Sequence, residues 1–151
     1  MKSFIALTCA ILATFDLASA IPAPSDAVAD SGSVSVSYDP VYDVSASSTD
    51  TVACGSQLDT QYSTFGSLPG FPRIGGALTI PDGTSSNCGK CYSLHYAGNG
   101  VDETINVLAI DTAPGGFNIG LQAMNQLTDG QAEKLGRVTA TYTEVDISEC
   151  A

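Results

Sequence analysis

The stretch "NCGKCYSLHY", residues 87–96, places Cys88 and Cys91 in a C-x-x-C pair, followed by His95, the chain's only histidine. This spacing fits a thiol redox motif, a metal site or two disulfide bridges. A redox pair would stand between a strand and a helix, whereas residues 92–97 read as a strand. Structural zinc needs four ligands, and no second histidine is present. The pattern therefore favours a disulfide framework, with His95 as a strand residue and no bound metal.

The start of the chain predicts export. Lys2 precedes an apolar run over residues 4–15, and "ASA" at residues 18–20 is typical of a signal-peptide cleavage site. No later stretch holds the roughly 20 apolar residues that a membrane span needs. We predict a signal peptide over residues 1–20, a pro-segment or flexible arm over residues 21–33, and one folded domain over residues 34–151.

Export to an oxidising compartment favours disulfide bonds between the cysteines of the mature chain. Cys9 would leave with the signal peptide, and an even number remains in an oxidising compartment: Cys54, Cys88, Cys91 and Cys150. Two disulfides are expected. Four cysteines allow three pairings, and the residues alone do not choose among them.

The charge of the chain narrows the class of partner. Its net charge is −11, and removal of residues 1–20 takes away one basic side chain, Lys2, and one acidic side chain, Asp16. The exported domain would keep the same negative charge and repel nucleic acid and anionic membranes. A neutral partner is therefore expected.

Short strands separated by turns dominate the pattern. Period-two alternation or apolar runs predict strands over residues 34–39, 77–80, 91–97, 104–111 and 136–147. "GNG" at residues 98–100 favours a hairpin between the third and fourth of these. The last strand places Val138, Ala140 and Tyr142 on one face. Residues 63–76, rich in Gly and Pro, read as a surface loop.

Helical signals are few. Residues 118–128 and 129–136 predict two short helices, the first capped by Asn118 with Met124 in the core. Thr128 and Gln131 resemble a capping box for the second, which Gly136 can end. One helical turn is also expected before Cys54. This balance indicates a small closed β-barrel rather than a parallel α/β sheet.

Asp111 is the strongest single candidate for chemistry. It ends an apolar strand and precedes the Gly-rich turn "TAPGGFN". Its carboxylate could face a groove or bind the backbone of that turn. A polysaccharide hydrolase needs a second carboxylate, and Asp39 and Asp43 are the candidates, although no spacing argument brings either to Asp111. Neither a Ser-His-Asp site nor a phosphate-binding loop is indicated, and no cofactor is expected.

Tyrosines supply the aromatic surface that sugar binding usually needs. Five of them are candidates, with most expected to be half-buried packing residues: Tyr38, Tyr42, Tyr62, Tyr92 and Tyr96. Two or three exposed in one groove would suffice for weak binding.

These segments together resemble the cerato-platanin family of secreted fungal proteins. The resemblance covers residues 34–150 through "VSVSYDPVYD", "VACG", "STFG", "PGFPRIGG", "NCGKCY", "INVLAID", "GFNI", "AMNQLT" and "LGRVTATYT". It implies a mainly β fold: a small six-stranded double-psi β-barrel with one to three short helices. It also implies disulfides Cys54–Cys88 and Cys91–Cys150.

The resemblance implies a function as well. The family binds chitin and N-acetylglucosamine oligomers in a shallow groove, loosens cellulose without hydrolysis, elicits plant defence and assembles at interfaces. Its groove aspartate matches Asp111, and its N-terminal strand motif matches Tyr38 and Asp39. With the nearby Tyr42 and Asn118, these residues form the predicted carbohydrate-binding set.

The leading hypothesis is a secreted, non-catalytic carbohydrate-binding protein and plant-defence elicitor, extracellular or in the fungal cell wall. Chitin or cellulose oligosaccharides are its expected partners, and a host receptor is a further candidate. The alternative is a surface-active, self-assembling wall protein whose exposed loop carries Phe71 and Ile74. A weak polysaccharide hydrolase is the third hypothesis.

Overall fold

Six strands form the frame of the molecule in a computed structural model that describes residues 32–151. They are β1 (Gly32–Tyr38), β2 (Ile74–Ala77), β3 (Cys91–Gly98), β4 (Val101–Thr112), β5 (Gly116–Ile119) and β6 (Arg137–Val145). Three short helices accompany them, α1 (Gly55–Leu58), α2 (Leu121–Leu127) and α3 (Ala132–Leu135). Single 3-10 turns span Pro40–Asp43, Thr49–Thr51, Phe65–Ser67 and Ile147–Cys150.

The strands close into a barrel in the order β1-β5-β2-β4-β3-β6. The β1/β5 and β2/β4 pairs are parallel and the other pairs are antiparallel. Closure leaves each strand with two neighbours, so that the barrel has no free sheet edge. The predicted small, mainly β barrel with few helices is confirmed.

Two disulfides fasten connecting segments to this barrel. Cys54, before α1, bonds Cys88, and Cys91, at the start of β3, bonds Cys150 near the C-terminus. Both pairings implied by the resemblance are confirmed. The two cysteines of the C-x-x-C pair belong to different bridges, so this motif works as a structural junction.

The core follows the predicted alternation. Val138, Ala140 and Tyr142 on β6 are buried, as the period-two pattern requires. Tyr142 packs against Phe117 with ring centroids 5.4 Å apart, and Tyr92 lies 5.5 Å from Phe117. These three rings fill the barrel interior with offset or edge contacts, which aromatic pairs prefer.

The β3/β4 hairpin also matches its sequence signal. Asn99 and Gly100 both have positive φ, 52° and 79°, between the paired residues Gly98 and Val101. Two successive positive φ angles define the turn that Asn-Gly favours.

The second strand lies earlier than predicted. It spans Ile74–Ala77, inside the stretch read as a surface loop, and residues 78–80 are outside it. Gly75 and Gly76 suggested a loop, but here they are barrel residues where backbone segments pass too close for a side chain. A Cβ on Gly76 would lie 2.6 Å from the Thr112 carbonyl oxygen.

The helix caps differ from prediction. Asn118 caps no helix, because it lies in β5, and α2 begins three residues later at Leu121. The Thr128–Gln131 capping box is also wrong: Thr128 ends α2 and its hydroxyl donates to the Met124 carbonyl at 2.7 Å. Met124 is fully buried, and Gly136, with φ of 65°, follows α3 as predicted.

The N-terminal boundary shifts slightly. Gly32 and Ser33 pair with Tyr142 and Thr141, so they belong to β1 rather than to the predicted arm. The predicted signal peptide and the rest of the predicted arm, residues 1–31, lie outside the described residues. Between residues 32 and 151 no helix has the length and apolarity to cross a membrane.

The apolar patch of the surface-assembly hypothesis is wrong as stated. Ile74 is fully buried in the barrel, and Phe71 is partly buried against the core. The strand that replaces the expected loop turns Ile74 inward.

Candidate functional site

Strand register aligns five residues from five strands. Arg137 pairs with Ser37, Ser37 with Asn118, Asn118 with Gly76, and Gly76 with Asp111. We call this set the transverse row. The residues next to Ser37, Asn118 and Arg137 that point the other way, such as Val36, Phe117 and Val138, are buried. Since side chains alternate along a strand, the row belongs to the outer face of the barrel.

A cleft of about 250 Å³ opens over one end of this row. We call it the β1–β5 cleft, and its lining residues are Ser37, Thr112, Ala113, Pro114, Gly116, Phe117, Asn118 and Arg137. The β4–β5 connection supplies one wall, and the outer faces of β1, β5 and β6 supply the floor. No acidic side chain is among the lining residues.

Hydrogen-bond donors dominate the cleft. The Ser37 hydroxyl donates to Asn118 Oδ1 at 3.0 Å. This bond uses the oxygen of the Asn118 amide, and the NH2 group of the same amide points away from Ser37. Within residues 32–151 that NH2 group has no acceptor. Arg137 donates from Nη1 to the Ser35 hydroxyl at 2.7 Å and keeps other N–H groups available. Such a surface suits a ligand rich in carbonyl, hydroxyl and ether oxygens.

Gly76 allows the segment that forms the cleft wall to pass close to β2. The chain at Thr112 and Ala113 passes directly over Gly76, and the Ala113 N–H donates to the Ala77 carbonyl at 3.2 Å. A side chain at Gly76 would push this segment outward. The position of the wall therefore depends on the bare backbone of β2.

Asp111 anchors the same wall from the side. Its Oδ1 accepts from the Thr112 N–H at 2.8 Å and from the Ala53 N–H at 2.9 Å. Its Oδ2 accepts from the Tyr42 hydroxyl at 3.0 Å. The carboxylate thus ties β4 to the segment before Cys54 and to the first 3-10 turn, and it does not line the β1–β5 cleft.

Tyr42 is the buried partner of this anchor. Its ring is 5% exposed and stands 6.3 Å from Phe65. Burial raises the pKa of the Tyr42 hydroxyl, and the neighbouring Asp111 carboxylate raises it further. The hydroxyl therefore stays protonated and donates to Asp111 at neutral and mildly alkaline pH.

This raised pKa predicts weaker folding at high pH. Above about pH 10 the unfolded tyrosine loses its proton while the folded Tyr42 keeps it, so the free energy of unfolding falls as the pH rises. Urea denaturation from pH 8 to 11 measures the slope. We expect Tyr42→Phe to lower the pH dependence of the unfolding free energy by the contribution of one released proton. An unchanged slope would contradict the raised pKa of Tyr42.

The remaining predicted residues take separate places. Asp39 is exposed, and its carboxylate accepts from the Val41 N–H at 3.0 Å, which caps the first 3-10 turn. Tyr38 ends β1, opposite Ile119, half-buried against the core. Asp43 accepts from the Gln122 N–H at 3.2 Å. Each of these three side chains contacts the protein's own backbone or core, and none of them lines the β1–β5 cleft.

The structure joins Tyr42 to Asp111 directly, and of the five predicted residues it places Asn118 alone in the cleft. Sequence reasoning missed Ser37 and Arg137 as site residues. Their signal was present in part, because both occupy outward positions in alternating strands. What was lacking was the knowledge that β6, β1 and β5 are neighbours.

His95 and the other aromatic candidates lie elsewhere. His95 is in β3, with Nδ1 3.0 Å from the Thr104 hydroxyl. Tyr92 and Tyr96 are buried, and Tyr62 is partly buried against the core. Among the described residues, no group of three or more His, Cys, Asp or Glu side chains is placed to hold a metal ion.

Comparison with known proteins gives one family. The family model described as Cerato-platanin matches residues 34–151. The chain is 55% identical over 135 residues to "Allergen Asp f 15" of Aspergillus fumigatus, covering 87% of this chain and 86% of that protein.

Solved structures agree with this result. The crystal structure of cerato-platanin 1 from M. perniciosa has a TM-score of 0.75 at 41% identity, covering 78% of this chain and 99% of that one. The solution structure of "the fungal elicitor Cerato-Platanin" has a TM-score of 0.69 at 36% identity, covering 78% and 96%.

Proposed function

Because this chain belongs to the cerato-platanin family over residues 34–151, we propose that it is a secreted, non-catalytic protein that binds N-acetylglucosamine oligomers in the β1–β5 cleft. The observation that carries this proposal is the free NH2 group of Asn118. Asn118 lines the cleft, and the hydrogen bond from the Ser37 hydroxyl to its Oδ1 fixes the orientation of the amide. The acetamido carbonyl of the sugar is a matching acceptor.

The surrounding residues fit a sugar of this kind. The Arg137 guanidinium and the Thr112 hydroxyl add donors for ring and hydroxyl oxygens. Pro114 and Ala113 offer apolar surface against the acetamido methyl group. An analogue that lacks the acetamido carbonyl would leave the Asn118 NH2 group without that acceptor, so we expect it to bind more weakly.

The same geometry supports a non-hydrolytic action. Most glycoside hydrolases need two carboxylates across the scissile bond, and the lining of this cleft holds none. Asp111 is occupied by three protein donors. Competition for interchain hydrogen bonds would let the protein loosen chitin or cellulose without cutting it. Reducing sugar that is released by the wild type and lost in Asp111→Asn would instead indicate a hydrolase.

Substitution of Asn118 tests the site. Asn118→Asp keeps the acceptor for the Ser37 hydroxyl but removes both side-chain N–H donors. We expect the affinity for chitin oligomers to fall about tenfold or more, since a lost hydrogen bond and an unfavourable charge together exceed about 1.4 kcal/mol. Isothermal titration calorimetry with chitohexaose provides the measurement.

A matched control separates the effect of losing the Asn118 donors from the effect of adding a negative charge. Gln61→Glu makes the same amide-to-acid change at an exposed site that does not line the cleft. It should bind within about twofold of the wild type. Equal losses in the two variants would show that added negative charge, and not the Asn118 donors, weakens binding.

Recognition by a host is the second part of the proposal. One relative is titled a fungal elicitor and another is named an allergen. We expect the oxidised domain to trigger an oxidative burst in infiltrated leaf tissue and the reduced, alkylated chain to lose that response. A folded domain that causes no burst would contradict the proposed elicitor activity.

A further inference from the structure

Arg73 is a half-buried cation without a partner. Lys90 is ion-paired with Glu144 at 2.8 Å, Arg137 bonds the Ser35 hydroxyl, and Lys134 is exposed to water on α3. Across residues 32–151 the Arg73 guanidinium has neither a hydrogen bond nor an ion pair. A partly desolvated charge is costly unless it is paired. An anion at this position would therefore be favoured.

The backbone holds Arg73 at a fixed place. Its N–H donates to the Gly70 carbonyl at 2.8 Å, and its carbonyl accepts from the Leu108 N–H at 2.9 Å. The side chain lines a cleft of about 290 Å³ together with Thr104, Ile105, Asn106 and Gln126. We call this the Arg73 cleft. It shares no lining residue with the β1–β5 cleft.

Neutral polar groups face the same space. Asn106 donates from Nδ2 to the Glu149 backbone carbonyl at 3.1 Å, which leaves its Oδ1 as an acceptor. The Gln126 side-chain amide is exposed on α2 and has no partner within the described chain. Thr104 adds a hydroxyl that is paired with His95. The cleft thus combines one cation with groups that both donate to and accept from hydroxyls.

We propose that the Arg73 cleft binds a sugar acid, with the Arg73 guanidinium on the carboxylate and with Asn106 and Gln126 on the ring hydroxyls. The planar fork of a guanidinium matches the two oxygens of a carboxylate. The single guanidinium pairs with one carboxylate, and the neutral side chains of Asn106 and Gln126 in the same cleft are left for the hydroxyls of a sugar ring.

The size of the cleft points the same way. A volume of about 290 Å³ equals roughly ten waters at about 30 Å³ each. That space exceeds a bare inorganic anion and suits one or two pyranose rings. Together with the Arg73 guanidinium, this space suits a sugar ring that bears a carboxylate, such as a uronate unit of an acidic polysaccharide. This inference stands apart from the proposed binding of N-acetylglucosamine oligomers.

A pair of probes tests the proposal on the oxidised domain. Trigalacturonate carries the carboxylates, and its methyl ester has the same sugar body without the charge. In an NMR titration we expect trigalacturonate to shift the side-chain amide signals of Asn106 and Gln126, and the ester to bind about tenfold more weakly or worse. Equal binding of acid and ester would overturn the assignment of a carboxylate.

Two variants locate the effect. Arg73→Gln should lose about tenfold or more in affinity for trigalacturonate, while Lys134→Gln, the same loss of charge at an exposed site on α3, should change it less than about twofold. Equal losses of affinity in the two variants would show that the overall charge of the protein, and not Arg73, controls binding, and would overturn the proposed site. Displacement of trigalacturonate by an equal concentration of inorganic phosphate would overturn the sugar-acid assignment. Thermal melts of both variants check that the fold is retained.

Discussion

The Cys91→Ser, Cys150→Ser double variant is expected to lose about 4 kcal/mol of unfolding free energy, because the bridge closes a loop of 59 residues. Without it the unfolded chain gains the conformational freedom that the crosslink removes. Cys150 is also fully buried, so its release frees the C-terminal 3-10 turn from the start of β3. Urea denaturation followed by far-ultraviolet circular dichroism measures the loss.

The second bridge provides an internal comparison. Cys54→Ser with Cys88→Ser opens a loop of 34 residues and should cost slightly less, by about 0.5 kcal/mol on the same entropic scale. Variants that each lose under about 1 kcal/mol would contradict the view that the disulfides are main supports of this small barrel.

Asp111→Ala is expected to cost about 3 kcal/mol of unfolding free energy, because it leaves the buried Tyr42 hydroxyl and two backbone N–H groups without their acceptor. Asp111→Asn is the matched variant. Its carbonyl can still accept from Ala53 and Thr112, and the Tyr42 hydroxyl can accept from its NH2 group. We therefore expect a cost of about 1 kcal/mol.

The pair also separates two roles for this carboxylate. If Asp111 only anchors the cleft wall, Asp111→Asn should keep its affinity for chitin oligomers within about threefold. A loss as large as that of Asn118→Asp, in a variant that still folds, would show that the Asp111 carboxylate contacts the ligand. Calorimetry at a temperature well below both melting transitions makes the comparison.

Local pattern predicted much of the barrel. The alternation in β6 and the Asn-Gly turn are short-range signals, and both matched the structure. Gly75 and Gly76 misled for a physical reason: glycine usually marks a loop, but here it permits close backbone contact inside the sheet. That contact involves Asn118 and Thr112, distant in sequence, so no local pattern could reveal it.

In the candidate site, too, local sequence predicted some features, while others depend on which strands are neighbours. Asn118 was identified as a binding residue but assigned to a helix cap, because Asn before an apolar helical pattern usually caps it. Ser37 and Arg137 are 100 residues apart and meet only through the β1/β6 pairing. The free amide of Asn118 depends on its Ser37 partner, a parallel-strand neighbour. Such nonlocal register is not encoded in any one segment.

The most direct measurement is an NMR titration of the oxidised domain, residues 32–151, with chitin and cellulose oligomers. We expect chitin oligomers to shift the Asn118 side-chain amide and the backbone signals of Ser37 and Thr112, and we expect the Ser37 and Thr112 signals of Asn118→Asp to need about tenfold more ligand for the same shift. Cellulose oligomers lack the acetamido acceptor and should shift the Asn118 amide less. Shifts confined to other faces of the barrel, or no shifts with either sugar, would contradict binding of N-acetylglucosamine oligomers in the β1–β5 cleft.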